Sequence, residues 1–124
     1  MVKEHTITWW RKKAWKVFSA WIKKRDKNIC FTSGKYVEGS NAHAGHFLTG
    51  ATCPPSLYFD PRNVHCQSFH DNVNLSGNWP VYEERMINKY GIQVVDELKK
   101  LRRERQGEKW EIADYQRLIE YYRD

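Results

Sequence analysis

Apolar residues near the start of the chain recur at spacings of three and four. Trp10, Ala14, Val17, Phe18, Trp21 and Ile22 fall on one face of a helix over 7–25, and Arg11, Lys12, Lys13, Lys16, Lys23 and Lys24 fill the rest. Trp10 and Trp21 belong to the core stripe. Trp9 and Trp15 lie off it and are expected to be partly exposed. From 26 to 62 the pattern changes. Gly34, Gly39, Gly45, Gly50, Pro54, Pro55 and Pro61 exclude a long helix there. Short strands are predicted near 35–38 and 43–48, paired through the turn Glu38–Asn41. Residues 49–56 read as a loop, and Tyr58-Phe59 as the start of another extended piece. Residues 63–76 are polar. Helical periodicity returns over 80–123. A helix opening at Pro80 stops at Gly91, and a stripe of Ile92, Val95, Leu98 and Leu101 is broken at Gly107. A last helix carries Trp110, Ala113, Leu118, Ile119 and Tyr122.

Composition narrows the class. With 40% hydrophobic and 29% charged residues in 124, the chain reads as one small folded domain and not a disordered segment. No stretch approaches the roughly 18 apolar residues needed to span a bilayer. The N-terminus lacks the uncharged core of a signal peptide, so a cytoplasmic protein with no membrane partner is expected. Three cysteines are an odd and low number, which argues against a disulfide framework and a four-cysteine zinc site. The net charge is +6 and is uneven. Residues 1–30 hold nine basic and two acidic side chains, against twelve and thirteen in the remainder. Such a cluster fits a phosphate backbone; a solvated helix face is the plainer reading. The run KKLRRER at 99–105 reads as a solvated face.

The candidate chemistry lies in the middle. His43, His46, His65 and His70 fall within 43–70, alongside Asn63, Gln67, Asp71 and Asn72. Phosphodiester hydrolysis needs a base to activate water and a divalent cation to neutralise the phosphate and the departing oxygen. Imidazole serves the first need near pH 7, and His, Asn and water ligands serve the second. His43 and His46 are three apart, which in a regular strand puts them on opposite faces. They meet at one metal only if the backbone bends, and Gly45 offers a bulge or turn.

The segments HAGHFLTGA, LYFDPRNVHCQ and LSGN, in that order, resemble the NinG (Rap) family of lambdoid-phage recombination nucleases, within the HNH (ββα-metal) superfamily. AWKVFSAWIKKRDKNICFTSG resembles the helix preceding that motif, and the likeness covers roughly residues 14–98. It implies a single α+β domain over 1–124. A ββα-metal (HNH-like) core at 29–78 would be flanked by a basic, Trp-rich helix at 1–28 and a helical C-terminal extension at 79–124. The implied activity is metal-dependent endonucleolytic cleavage of DNA, branched DNA included, leaving a 5′ phosphate and a 3′ hydroxyl.

The resemblance also implies roles. His46 is the general base, and Asn63 the central asparagine of the catalytic motif, which typically braces its loop. His43 and Asn72 are ligands to a divalent metal, with Mg²⁺ or Mn²⁺ foremost and Zn²⁺ or Ni²⁺ as alternatives. Arg11, Lys12, Lys13, Lys16, Lys23 and Lys24 hold the DNA backbone. His65 and Gln67, in the connecting turn, contact phosphate, metal or backbone. Leu75–Asn78 ends the motif's helix, with Gly77 as a left-handed stop. Where many relatives carry two zinc-binding thiol pairs, this chain has Cys30, Ser33, Ser68 and Asp71. No structural zinc is therefore expected, and tryptophan packing is expected in its place. A rearranged site from Cys30, Cys66 and His70 is the lesser alternative. A homodimer is compatible with an enzyme of branched DNA. Two rival readings are a non-catalytic DNA-binding recombination accessory on a degenerate scaffold, and a protein-interaction module built on Trp9 and Trp15.

Overall fold

The computed structural model describes residues 4–123. Thr6 opens the first helix, α1 (Ile7–Arg25), by accepting a hydrogen bond from Trp9 N at 3.2 Å. Lys23, Lys24 and Arg25 occupy its last turn, where the helix dipole favours cations. Ala14, Phe18 and Ile22 are fully buried, as the stripe predicts. They pack on α5 (Ile112–Tyr122) through Tyr115, Leu118 and Ile119, with Phe59 and Val64 completing this core. Trp10, Trp15 and Trp21 flank it, half-buried.

The strand pairing differs from the sequence expectation. Residues 35–38 form no strand partner for 43–48. They contribute only a bridge between Ile29 and Tyr36 before a 3₁₀ turn at Gly39–Asn41. Strand β1 (Ala42–His46) instead pairs antiparallel with β2 (Val64–Ser68) in five consecutive pairs, His43 opposite Gln67 and Gly45 opposite His65. The polar residues of Val64–Ser68 conceal a strand whose first four residues are buried. Tyr58 ends a short helix, α2 (Pro55–Tyr58), not an extended piece. Proline suits a helix's first turn because no carbonyl there awaits its missing N–H.

After β2 the ββα motif calls for a helix. The chain makes a single π turn, His70–Asn74. Three consecutive left-handed residues follow, Ser76, Gly77 and Asn78, so Gly77 does take the predicted conformation. Helix α3 (Trp79–Tyr90) stops at Gly91, which leads directly into α4 (Ile92–Glu104). Ala44 and Val64 face the α1 core, while Gly45 and His65 reach Tyr82 of α3. A second core of Phe47, Leu48, Leu57, Tyr82, Met86, Val95 and Leu98 joins the strand connection to α3 and α4. The architecture is a mixed α+β fold, a two-stranded antiparallel sheet between helices. Among the described residues no helix is long and apolar enough to cross a membrane.

Candidate functional site

The register runs without interruption from Ala42 to His46, so Gly45 makes no bulge. His43 and His46 therefore project to opposite faces of β1 and do not share one site by bending of the strand. His43 turns toward the π turn. Its Nδ1 lies 3.1 Å from Asn72 Nδ2, its Nε2 is 3.1 Å from Ser40 O, and its ring meets the edge of Phe69. Tertiary folding thus unites the two residues expected to bind metal.

Gly45 permits this arrangement. A Cβ there would stand 2.9 Å from Asn72 Oδ1 and overlap Gln67 Oε1 outright. Gln67 is fully buried, and its Nε2 donates to Thr32 Oγ1 at 3.0 Å and to Gly77 O at 2.9 Å. Its Oε1 has no hydrogen-bond partner among the described residues.

His46 lies in an aromatic clasp. Its ring stacks on Trp15 at 5.0 Å and lies tilted against Tyr58 at 4.2 Å between centroids. Nε2 is 2.9 Å from Tyr58 O. A carbonyl only accepts, so Nε2 carries the proton and Nδ1 keeps its lone pair. Burial pushes the imidazole down to about 4 against the opposing pull of that carbonyl, so the ring is neutral at pH 7.

A directed chain of hydrogen bonds braces β1 from the other side. Tyr82 donates to Gly45 O at 2.7 Å, so its oxygen receives the proton of His65 Nδ1 at 3.0 Å. His65 Nε2 must then accept from Tyr90 at 2.8 Å. His65 is fully buried and stacked on Phe31 at 4.0 Å; burial first, then Arg25 and Lys89, push it down to about 2. Asn63 has a comparable role. It is fully buried, accepts from Leu48 N, and donates to Leu48 O and Leu57 O. It clamps the connection between the strands and reaches no substrate. The expectations that His65 and Gln67 touch DNA are corrected for the same reason: both lie wholly inside the fold.

Cys30, Ser33, Ser68 and Asp71 come together without forming a metal site. Thr32 Oγ1 donates to Asp71 Oδ2 at 2.5 Å, Asn78 Nδ2 donates to the same oxygen at 3.4 Å, and Cys30 Sγ lies 3.9 Å from it. Ser33 N donates to Cys30 Sγ and Asp71 N to Ser68 Oγ. Burial raises the Cys30 thiol, but hydrogen bonds from Ser33, Thr32 and the Ser68 backbone outweigh it and leave the thiol below its usual range. A carboxylate-centred network fills this position, where tryptophan packing was expected. Cys30 and Cys66 share a small core patch, but His70 is exposed beside Asn74, so these three do not converge. Among the described residues no three His, Cys, Asp or Glu side chains are grouped so as to hold a metal ion, so a cation at His43 would need carboxamide or water donors as well.

The basic residues of α1 divide. At about 100° per residue, Arg11 lies near Trp15 on the helix surface while Lys24 stands about 180° away. The charge of Arg11 reaches Tyr58, whose phenol is raised by burial and by Cys53 and lowered by Arg11. Lys13 covers the Trp9 ring at 5.0 Å. Lys12, Lys13 and Lys16 line a groove with Trp9, and Lys23 and Lys24 line another with Tyr36.

Residues 1–124 match the family model described as Bacteriophage Lambda NinG protein. The chain belongs to the NinG family. Protein ninG of Enterobacteria phage H19B is 37% identical over 92 residues, covering 73% of this chain and 45% of that relative. The ninG proteins of Salmonella phage P22 and Escherichia phage lambda are 35% and 33% identical over 91 residues, covering 73% of this chain and 44% of each. The chain thus spans less than half the length of the curated ninG relatives it matches. No solved structure matches it.

Sequence reasoning did not find the residues that surround the site. Trp15 appeared as an off-stripe tryptophan, Tyr58 as part of a strand, and Tyr82 and Tyr90 as helix residues. The signal was faint: Arg11 and Trp15 are four apart, which aligns them on one helix face.

Proposed function

We propose that this NinG-family chain is a metal-dependent DNA endonuclease in which His46 activates water and His43 with Asn72 holds a divalent cation. The observation that carries it is the 3.1 Å approach of His43 and Asn72, residues brought together from separate elements. In this contact Asn72 Nδ2 donates to His43 Nδ1, so a cation would take that lone pair in place of the amide N–H and draw on oxygens nearby. Gln67 Oε1 is a buried acceptor without a partner among the described residues, and it and Asn72 Oδ1 converge where Gly45 lacks a side chain. The donor set is one imidazole and neutral carboxamides, and the Asp71 carboxylate is turned to Thr32. Such nitrogen-containing, uncharged donors suit Mn²⁺, Ni²⁺ or Zn²⁺ better than Mg²⁺, which prefers carboxylate and water oxygens. Because His43 and His46 point to opposite faces of β1, an ion held at His43 would lend its positive charge to the phosphate backbone from across the strand, and not at the His46 ring itself.

His46 Nδ1 takes the proton of the attacking water, whose oxygen bonds to phosphorus as the P–O3′ bond breaks. The 3′ oxygen leaves as a hydroxyl after taking a proton from solvent, and the phosphate remains on the 5′ end. The Tyr58 carbonyl holds the ring in the required tautomer. A phosphodiester anion beside the ring favours the imidazolium and opposes the burial that depresses its pKa. Arg11, whose charge reaches Tyr58 in this clasp, would position phosphate. Asn63 and Tyr82 position the strand.

Purified protein incubated with linear, nicked and four-way-junction DNA across Mg²⁺, Mn²⁺, Ni²⁺ and Zn²⁺ tests the reading. Metal-dependent cleavage by the native chain, lost by a hundredfold or more in a folded His46→Ala variant, is expected. Full activity in that variant removes His46 from the mechanism. One observation favours a second reading, a non-catalytic DNA-binding protein on the same scaffold: His46 is buried deeply enough to be a weak base. That reading predicts salt-sensitive DNA binding with no cleavage under any metal.

A further inference from the structure

A groove lies between α1 and α5, on the side of α1 turned away from Trp15 and His46. It encloses about 510 Å³. Ala20, Trp21 and Tyr122 form its floor, and Lys13, Lys24 and Arg123 stand along its rim. Among the described residues no acidic side chain lines it. A smaller groove of about 370 Å³, carrying Trp9 and Lys12, adjoins it and shares Lys13 and Lys16. Together they run from Trp9 to Lys24, about 22 Å along the helix axis.

We infer that this α1–α5 groove binds a short stretch of single-stranded DNA, separate from the strand held at His43 and His46. Cations along the rim match a phosphate chain, and aromatic rings in the floor offer faces for unpaired bases. A duplex is a poorer occupant. Its bases are already stacked on one another and cannot reach a floor between two helices. An acidic peptide would satisfy the rim but leave Trp21 and Tyr122 without a role. The inference rests on the DNA reading above and not on cleavage. An enzyme cutting branched DNA would thereby hold an unpaired strand on one side of α1 and the scissile strand on the other.

The test is fluorescence anisotropy with the full chain in EDTA, using a labelled 15-nucleotide oligo-dT and a labelled 15-base-pair duplex. Arg123→Glu and Tyr122→Leu are compared with the native chain, with thermal melts to confirm folding. Arg123 is exposed and pairs with Glu120 on the helix surface, so its replacement leaves the core intact. Each variant is expected to weaken oligo-dT binding by about fivefold or more, the loss of one stacking or backbone contact, while duplex affinity changes less than twofold. Equal losses on both ligands, or no loss on oligo-dT with Arg123→Glu, overturn the inference. So does displacement of oligo-dT by poly-glutamate of equal charge, which would show a groove reading charge alone. Failure here with metal-dependent cleavage intact sinks only the strand site. Absence of cleavage with oligo-dT binding intact sinks only the nuclease.

Discussion

The side chains of His43 and Asn72 meet at 3.1 Å although one lies on a strand and the other on a π turn. Neither is a carboxylate, and that sets the metal preference. His43→Asp is expected to raise Mg²⁺-supported cleavage relative to Mn²⁺-supported cleavage, because a charged oxygen ligand suits the harder ion. Asn72→Ala is expected to raise the metal concentration for half-maximal rate by about tenfold or more, at least the loss typical of outer ligand partners. Parallel metal titrations of the three proteins decide both. An unchanged half-maximal concentration refutes Asn72 as a ligand.

Gly45 is held to its size by its neighbours. In Gly45→Ala the new methyl meets Asn72 Oδ1 and Gln67 Oε1, and Gln67 is fully buried with both its donors engaged. A loss of about 1–3 kcal/mol is expected in urea unfolding, the usual cost of overpacking. Combining it with Gln67→Ala should cost less than the sum of the two single changes, since they act on one contact. Strict additivity would place the strain elsewhere.

Tyr82 is the centre of the bonded chain from Tyr90 to Gly45. Tyr82→Phe removes a second bond to the Gly45 carbonyl, which is already in the strand ladder, and leaves the His65 Nδ1–H without its partner. Roughly 1–3 kcal/mol is expected for that orphaned group, read as a lowered urea midpoint. Tyr90→Phe removes only the half-buried end of the chain and should cost less. The reverse ranking would contradict the proton order assigned here.

Two depressed imidazoles make stability fall in acid. His46 titrates near 4 and His65 near 2 in the folded protein, against about 6.5 when unfolded. Between those values the unfolded chain binds more protons, so stability is complete above pH 6.5 and declines as pH drops. The melting temperature at pH 5 is expected to lie below that at pH 7.5. His46→Ala should flatten the part of this slope between 6.5 and 4. A slope unaltered by that substitution would mean the ring is not buried as described.

The helices were legible from the chain itself. Spacings of three and four marked α1, α3, α4 and α5, and Gly91 marked a boundary, because helical periodicity and termination are local properties. The short motifs pointed to His43 and Asn72, which do meet, but not to the separation of His46 and Asn63 from that pair. The sheet was not legible. β1 pairs with a strand beyond the whole α2 connection, and Val64–Ser68 hides its burial behind His65 and Gln67, polar residues that earn their place only by bonding Tyr82, Tyr90, Thr32 and Gly77. Those partners arrive from α3 and from the turns. Nor could sequence say which imidazole reaches solvent. His65 and His46 are the same side chain, and burial is set by whatever packs against each: Tyr82 and Phe31 for one, Trp15 and Tyr58 for the other. Residue types and periodicity determined the helices and the chemistry available to this protein. Long-range packing decided which groups are enclosed, which tautomers they hold, and which pairs stand within bonding distance, since only the folded chain sets solvent access and separation.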